Sequence, residues 1–453
     1  GEVVEEGVAP LENHAPGNSR TVNIPFTTVP EGGSEYLLNL SLCLNDATPW
    51  AEAGYPVATA QYTLQKRSTT LPAVAKAHTP LTLDEKTSGV TISNDNITMK
   101  FTTKGVVTSW VANGTQLTVP SSGGPEYANF RWVENDSPTD PYYGSGYATG
   151  NGISDRTATF ALADDGSRAT VTVEAQGTRC AYTLTYTIYD LGIVDVKCVF
   201  RPQNNDLRRI GLAMQMPGFY DDVTYYANGP WANYVDRKTG SYLGLYSTTV
   251  TDMFEPLSSP QSCGNREGLR YLILTNPADG SGYRIDTQGN VAFSLLPYDD
   301  AALLQARHPW NLSAADAASR RVYAHFDYMQ KGLGNGSCGQ QTGTLSAYKC
   351  PSSGSYTYTL RFTPLGGIAT GVTPQTAAPA LSVRAADGQV CVEGDIAAGT
   401  TATLIDLGGS TLQHATATTA TRSLSLSAHG LPRGAYLVVV RQGSSVRTYK
   451  VMR

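Results

Sequence analysis

Apolar and polar residues alternate along much of the chain, with the period of two that a strand with one buried face produces. Near the start, Leu38, Leu40, Leu42 and Leu44 alternate with polar or smaller residues. The alternation returns at Val171, Val173, Tyr182, Leu184, Tyr186 and Ile188, and again at Tyr356, Tyr358, Leu360 and Phe362. The predicted strands include Thr21–Phe26, Tyr36–Leu44, Ala58–Leu64, Arg179–Ile188, Ile193–Arg201 and Tyr436–Val440. We therefore predict an all-β fold.

Helical patterns are rare by comparison. Asp190-Leu191-Gly192 separates two predicted strands and predicts the turn of a hairpin. One helical turn is predicted through Ala301–Arg307, because Asp299-Asp300 before it suits an N-cap. A second helical turn is predicted to begin at Ser313. The 45 glycines and 26 tyrosines also favour strands and turns over helices.

Two stretches with the composition of linkers divide the chain into three predicted modules. Lys66–Pro80 is rich in Ser, Thr, Pro and Ala, and Gly366–Pro379 is rich in Gly, Thr, Pro and Ala. The modules are then residues 1–68, 81–366 and 380–453. A length of 453 residues agrees with this division, because domains average about 150 residues.

Composition and charge exclude some classes of function. A charged fraction of 16% is low and is closer to that of an exported protein. The net charge of −5 argues against a nucleic-acid partner, because binding phosphates needs a basic face. No apolar run approaches the roughly 18 residues of a membrane span, so no span is predicted. We found no P-loop, nucleophile-elbow or dinucleotide-binding pattern.

The most distinctive stretch is Tyr225–Gly240, in which Gly229-Pro230 interrupts regular structure and aromatic residues surround the break. One interpretation is a structural corner, fixed by an ion pair between the adjacent Asp236 and Arg237. The pattern G-P-x-x-N-Y-x-D-R also resembles the C-terminal β-sandwich of glycoside hydrolase family 2 β-galactosidases. The resemblance continues through Asp252–Pro256 and Pro260–Arg266.

The resemblance implies a fold for each module. Asn45–Tyr55 resembles the immunoglobulin-like domain of the family, so residues 1–68 are expected to be a truncated immunoglobulin-like module. Residues 81–366 are expected to form a large antiparallel supersandwich like that of galactose mutarotases. The L-P-x-G-x-Y run Leu431–Tyr436 makes residues 380–453 similar to the sorting domains of the type IX secretion system. A small immunoglobulin-like adhesion module is the alternative there.

The resemblance also implies which residues lie beside a bound sugar. Asn129–Asp136 imperfectly matches a family segment that precedes a mobile loop at the galactose pocket, and Gly332–Gly339 corresponds to a second rim segment but departs from it more sharply. Cys338 stands where many members have a sugar-stacking Trp, and Cys263 stands where they have Asn. The substrate-adjacent residues implied are Arg131, Asn135, Asp136, Tyr142, Asn265, Arg266, Asn335, Ser337 and Cys338.

The chain has seven cysteines without the CxxC spacing of a metal site. Since Cys263 and Cys338 both replace residues near the sugar site of the resembled family, we predict a disulfide between them, as an exported protein allows. Cys338–Cys350 is the competing pair, and Cys180–Cys198 is a weaker one across the predicted hairpin. The remaining alternative is that all seven are free thiols.

The resemblance implies the non-catalytic C-terminal region of an exported β-galactosidase-like enzyme. Such an enzyme needs two carboxylates about 5 Å apart, and in the family both belong to a (β/α)₈ barrel, for which this chain has no matching pattern. The chain alone is thus expected to be inactive, with no catalytic residue and no cofactor; the family's barrel uses Mg and Na. The expected partners are that barrel in the same polypeptide and, through the full-length enzyme, a β-galactoside oligosaccharide, with self-association into a homo-oligomer also foreseen.

Two other functions stay open. One is a stand-alone carbohydrate-binding module. The other is a mutarotase-like epimerase, which needs a His and a carboxylate that converge on the concave face of the sandwich. His325 and Asp327 alternate on one predicted strand and are candidates for a metal site or an epimerase base. A structural role for this histidine is the more common case.

Overall fold

Antiparallel strands are the predominant regular structure of the computed structural model, as predicted for an all-β chain. The structure describes residues 2–9, 11, 15–133, 152–204, 207–312, 320–334, 344–366, 381–386, 388–405, 411–431, 435–442 and 445–452. The chain separates into two compact units, which are residues 69–377 and residues 1–68 with 378–453. The finer division into three modules stays a prediction.

The larger unit contains strands β3 to β20 and two short helices. Its strands are β3 (Thr82–Lys86), β4 (Gly89–Ser93), β5 (Ile97–Phe101), β6 (Val107–Ala112), β7 (Thr115–Gln116), β8 (Glu126–Ala128), β9 (Ile153–Leu162), β10 (Arg168–Gly177), β11 (Cys180–Tyr189), β12 (Val194–Pro202), β13 (Arg209–Pro217), β14 (Asp222–Gly229), β15 (Tyr242–Thr249), β16 (Tyr271–Thr275), β17 (Gly282–Gln288), β18 (Ala292–Leu296), β19 (Arg321–Gln330) and β20 (Tyr356–Leu365). The helices are α1 (Val250–Met253) and α2 (Asp300–Gln305), and single 3₁₀ turns span Pro309–Asn311 and Ser346–Tyr348.

Among the described residues, the larger unit forms three antiparallel sheets. One has the order β15-β14-β16-β17-β20-β12-β11-β10-β9, the second β18-β19-β13-β8 and the third β3-β4-β5-β6-β7. The last two sheets pack on the first, because Trp110 on β6 and Phe326 on β19 both contact Phe362 on β20. Tyr127 on β8 packs in the same way against Tyr182 on β11. The core of the unit therefore lies between the long sheet and the two shorter ones.

The smaller unit contains β1 (Tyr36–Cys43), β2 (Pro56–Gln65), β21 (Ser382–Ala386), β22 (Gln389–Ile396), β23 (Thr401–Ile405), β24 (Thr411–Thr416), β25 (Thr421–Ser427), β26 (Ala435–Gln442) and β27 (Ser445–Met452). Within the described part of the chain, β1 and β2 pair with each other. The remaining strands form the sheets β21-β22-β25 and β24-β23-β26-β27 around a core that includes Val392, Leu404 and Val438.

Most of the predicted strands are confirmed, and one is wrong. The strands β1, β2, β11, β12, β20 and β26 lie where the alternation placed them, and β11 and β12 form the predicted hairpin. Residues 21–26 form no strand, because Pro25 lacks a donor and the residues around it are mostly exposed. Helix α2 begins as predicted, with the Asp299 side chain accepting from Ala302 N–H at 2.6 Å. The helical turn predicted at Ser313 lies outside the described residues.

Candidate functional site

The corner that follows β14 is fixed by one buried amide side chain. The peptide bond between Gly229 and Pro230 is cis. Asn233 donates from Nδ2 to the carbonyls of Asn228 and Trp231, at 3.0 and 2.9 Å. Its Oδ1 accepts from the Glu267 N–H at 2.8 Å. Three bonds from one fully buried side chain hold this corner against the segment that begins at Asn265.

Asn265 and Arg266, two of the predicted substrate-adjacent residues, are buried and complete the same network. Asn265 donates from Nδ2 to the Asn233 carbonyl at 2.7 Å and accepts at Oδ1 from Gln330 Nε2 at 2.8 Å. Arg266 donates from Nε to the Tyr225 hydroxyl at 3.2 Å. Because these side chains are already hydrogen-bonded inside the protein, both residues position the corner. Contact of either residue with substrate stays a prediction.

Arg131 joins this region to the end of β19. Its guanidinium is 2% exposed and donates to the carbonyls of Lys331 and Gly332, the latter at 2.9 Å. The adjacent Trp132 donates its backbone N–H to the hydroxyl of Ser262 at 2.8 Å. Arg131 and Trp132 are thereby held against both the segment at Ser262 and the residues that follow β19.

Asp236 holds the segment after β19 from the other side. Its Oδ1 accepts from Leu333 N–H at 3.0 Å and its Oδ2 accepts from Gly334 N–H at 2.9 Å. The interpretation of an Asp236–Arg237 ion pair is therefore wrong, because the carboxylate turns toward amides about 97 residues away. A Cβ on Gly332 would lie 2.4 Å from Asp236 Oδ2, so the contact requires glycine there.

We call residues 331–334, with Arg131 and Asp236 bound to them, the rim junction. It brings together two of the segments that the sequence singled out, the one at Arg131 and the one at Gly332. The remaining predicted substrate-adjacent residues, Asn135, Asp136, Tyr142, Asn335, Ser337 and Cys338, lie outside the described residues.

A second group of polar side chains, which we call the second polar cluster, lies beside the rim junction on the sheet β18-β19-β13-β8. Asp300 Oδ2 lies 3.4 Å from His325 Nε2 and 3.7 Å from a guanidinium nitrogen of Arg209. Arg209 also pairs with Asp327, with 3.2 Å between NH1 and Oδ2. The Ser262 hydroxyl donates to Asp300. His325 thus meets a carboxylate from helix α2.

Burial and charge act in opposite directions on the two aspartates. Burial raises the pKa of Asp300, but the Arg209 charge and the hydrogen bonds from His325 and Ser262 outweigh it and hold the pKa at about 2. Burial also raises the pKa of the fully buried Asp327, and there Arg209 opposes the shift only in part. Within the described chain, Asp327 Oδ1, Arg209 Nε and His325 Nδ1 are buried without a hydrogen-bond partner.

Comparison with known proteins assigns the chain to a family. The family model of the β-galactosidase small chain matches residues 93–362, which is more than half of the chain, and that of β-galactosidase domain 4 matches residues 1–65. The chain belongs to the β-galactosidase small-chain family. Both matches agree with the region implied by the motif around Gly229-Pro230.

Curated relatives extend this assignment. A β-galactosidase from Priestia megaterium is 30% identical over 384 residues, which cover 81% of this chain and 35% of the relative. A β-galactosidase from Photobacterium profundum is 27% identical over 341 residues, covering 70% of this chain and 32% of the relative. The chain thus spans about a third of the length of these relatives.

Solved structures include more remote similarities. The galactose 1-epimerase of Lactobacillus acidophilus NCFM aligns with 64% of this chain and 99% of its own length, at a TM-score of 0.34 and 9% identity. Of the helices in the described ranges, none is long and apolar enough to cross a membrane. No group of three or more potential metal ligands occurs among the described side chains.

The structure corrects the predictions made for the cysteines. Cys180 and Cys198 are free, because the pairing of β11 with β12 places Cys198 opposite Leu184 rather than Cys180. Cys263 has a free, buried thiol whose sulfur accepts from the Glu255 N–H at 3.3 Å, and burial raises its pKa to about 12. Since Cys263 and Cys350 are both free, the predicted disulfide between Cys263 and Cys338 and the competing pair Cys338–Cys350 are wrong; Cys338 itself lies outside the described residues.

Sequence reasoning missed Arg209 and the role of Asp300. Arg209 lies at the start of a buried strand and carries no motif, so nothing local marks it. Asp300 was visible as one of two acidic residues before a helix, of which Asp299 is the N-cap. Asp300 has no capping role, and this was the one signal in the sequence that could have pointed to its place in the polar cluster.

Proposed function

We propose that this chain is the non-catalytic C-terminal region of an exported family 2 glycoside hydrolase with β-galactosidase-like activity. Its larger unit supports a catalytic barrel of the same polypeptide and supplies one wall of the site for a β-galactoside oligosaccharide. The observation that carries the proposal is the rim junction, in which Arg131 and Asp236 fix residues 331–334 from two sides.

The chemistry of the rim junction favours a supporting role over a catalytic one. The charged side chains of Arg131 and Asp236 are both hydrogen-bonded to backbone groups, so neither is available as an acid, a base or a nucleophile. A sugar-site wall needs rigid attachment of the residues that touch the sugar. We therefore assign support to Arg131, Asn265 and Arg266. Contact with the sugar is assigned to Asn135, Asp136, Tyr142, Asn335, Ser337 and Cys338.

The remaining parts of the proposal concern the whole enzyme. Residues 380–453 act as a sorting domain for export to the periplasm, cell surface or medium. Mg and Na belong to the barrel and not to this chain. Leu42, Tyr62 and Leu64 on the β1-β2 sheet are 40–56% exposed, which supports self-association through this sheet.

The test has two arms. The purified chain should not hydrolyse nitrophenyl β-galactoside, whereas a chimera in which it replaces the matching third of the Priestia megaterium enzyme should. In that chimera, Arg131→Met should lower kcat/KM at least tenfold, and the exposed Arg168→Met should leave it unchanged. Hydrolysis by the purified chain alone, or an Arg131→Met chimera with full activity, would contradict the proposal.

The alternative functions predict other results. A stand-alone carbohydrate-binding module would act without a catalytic barrel, so the chimera should gain no hydrolytic activity from it. A mutarotase-like epimerase should accelerate the change in optical rotation of fresh α-galactose. Polarimetry with the purified chain separates the epimerase from the proposed supporting region.

A further inference from the structure

A cavity of about 400 Å³ lies on the outer face of the sheet β18-β19-β13-β8, within the larger unit. Strand register places Glu126, Ala213 and His325 in one row across this sheet, and Gln215 and Tyr323 in the next. The start of α2, at Asp299 and Asp300, forms another part of the lining. The volume is that of small-molecule pockets, which measure about 300–1,000 Å³.

The polar groups of the lining fall into two sets. Glu126 is paired with Arg156, with 2.5 and 3.1 Å between their nitrogens and oxygens, and Asp300 is paired with Arg209 and His325. By contrast, the side-chain ends of Gln215 and Tyr323 make no hydrogen bond to any described residue. The side-chain amide of Gln215 and the hydroxyl of Tyr323 are therefore available to a ligand, whereas the charges of Glu126 and Asp300 are balanced by basic neighbours.

This arrangement restricts the class of ligand. An anion would face the carboxylates of Glu126, Asp299 and Asp300, and a small cation would find Glu126 and Asp300 already paired with arginine. A metal ion is disfavoured, since the described residues offer no cluster of three ligands. A neutral polyhydroxylated molecule fits, because its hydroxyls can donate to carboxylates and accept from the Gln215 amide.

Apolar groups complete the match. The lining also contains Ala213, Met214, Phe130 and the ring of Tyr323. A pyranose presents C–H faces between its hydroxyls, and an aromatic ring offers such a face a packing surface while its hydroxyl stays free for hydrogen bonding. We propose that this cavity is a binding site for one neutral sugar ring, separate from the rim junction and independent of catalysis.

The experiment is calorimetric titration of the full chain with D-galactose, D-glucose and lactose, and with inorganic phosphate as an anionic probe. Saturable binding of at least one sugar, and none of phosphate, is expected. Binding of free monosaccharide alone identifies the ligand as a free sugar, whereas binding of lactose as well extends it to the end of a longer saccharide. Absence of saturable binding for all three sugars would overturn the proposal.

Substitutions of the lining residues test whether the sugar binds in this cavity. Gln215→Leu and Tyr323→Phe each remove one hydrogen-bonding end and should weaken sugar binding up to about tenfold. Ala213→Phe should abolish it by filling the cavity. Gln288→Leu makes the same chemical change as Gln215→Leu on a half-buried strand position outside the cavity and should bind normally. Unchanged affinity in Gln215→Leu and Tyr323→Phe, with melting temperatures equal to that of the parent chain, would place any sugar elsewhere and refute the assignment.

Discussion

The rim junction gives the most direct prediction, which is that Asp236→Ala releases residues 331–334. The carboxylate accepts two backbone N–H groups, at 3.0 and 2.9 Å. Hydrogen bonds to a charged group contribute about 1.5–3 kcal/mol each when buried. Asp236 is half-buried, so we take the low end and expect a loss of about 2–3 kcal/mol for the pair.

This loss is local, so amide hydrogen exchange is the suitable measurement. If the junction opens without global unfolding, protection of Leu333 and Gly334 should fall by a factor of roughly 30–150, because 1.4 kcal/mol corresponds to a factor of ten. Asp236→Asn keeps one acceptor oxygen and should lose about half of that free energy. Protection elsewhere in the larger unit should change little.

The control is Asp164→Asn, which removes a carboxylate charge from the exposed turn between β9 and β10. It should leave the exchange of Leu333 and Gly334 as it is in the parent chain. The reasoning is refuted if Asp236→Ala leaves both amides equally protected, since the two hydrogen bonds would then contribute nothing to the junction.

Three further changes test the larger unit. Gly211→Ala should lower its stability by about 1–3 kcal/mol, seen as a lower melting temperature, because a Cβ there would lie 2.2 Å from Asp327 Oδ1 and 2.5 Å from the Phe326 carbonyl; Gly240→Ala, with nothing within 4 Å, is the control. The pKa of Asp300 is about 2, below its unfolded value of about 3.9. The ionised carboxylate therefore stabilises the fold by about 2 kcal/mol above pH 4, and this stabilisation is lost as the pH falls to 2. The difference in unfolding free energy between the parent chain and Asp300→Asn, measured by denaturant titration, should close over that range. Deleting residues 367–453 should leave the melting of the larger unit within a few degrees, and a large drop would show that they are packed against it.

The strands were predictable because their signal is local. Alternation on β11 and β12 follows directly from burial of one face, and the turn residues between them fix the hairpin. Residues 21–26 show the limit of that reasoning, since an alternating segment still needs a partner strand and Pro25 removes a donor. The position of the corner at Gly229-Pro230 was predictable for the same local reason.

The partners of charged side chains were not predictable, because they are set by the tertiary fold. Adjacent Asp236 and Arg237 suggest an ion pair in sequence, yet the backbone after the corner directs the carboxylate to Leu333 and Gly334. The second polar cluster draws Arg209, Asp300 and His325 from two strands and a helix. No spacing rule connects such positions without knowledge of strand order.

One hydroxyl connects the rim junction to the cavity. Ser262 accepts from the backbone N–H of Trp132, the neighbour of Arg131, and donates to Asp300, which faces His325. A hydroxyl can accept and donate at once, whereas a carboxylate at this position could not donate to Asp300 and would repel it. The cluster around Asp300 therefore depends on the hydroxyl of Ser262. The electrostatics of the cavity are therefore coupled, through this hydroxyl, to the backbone that carries Arg131.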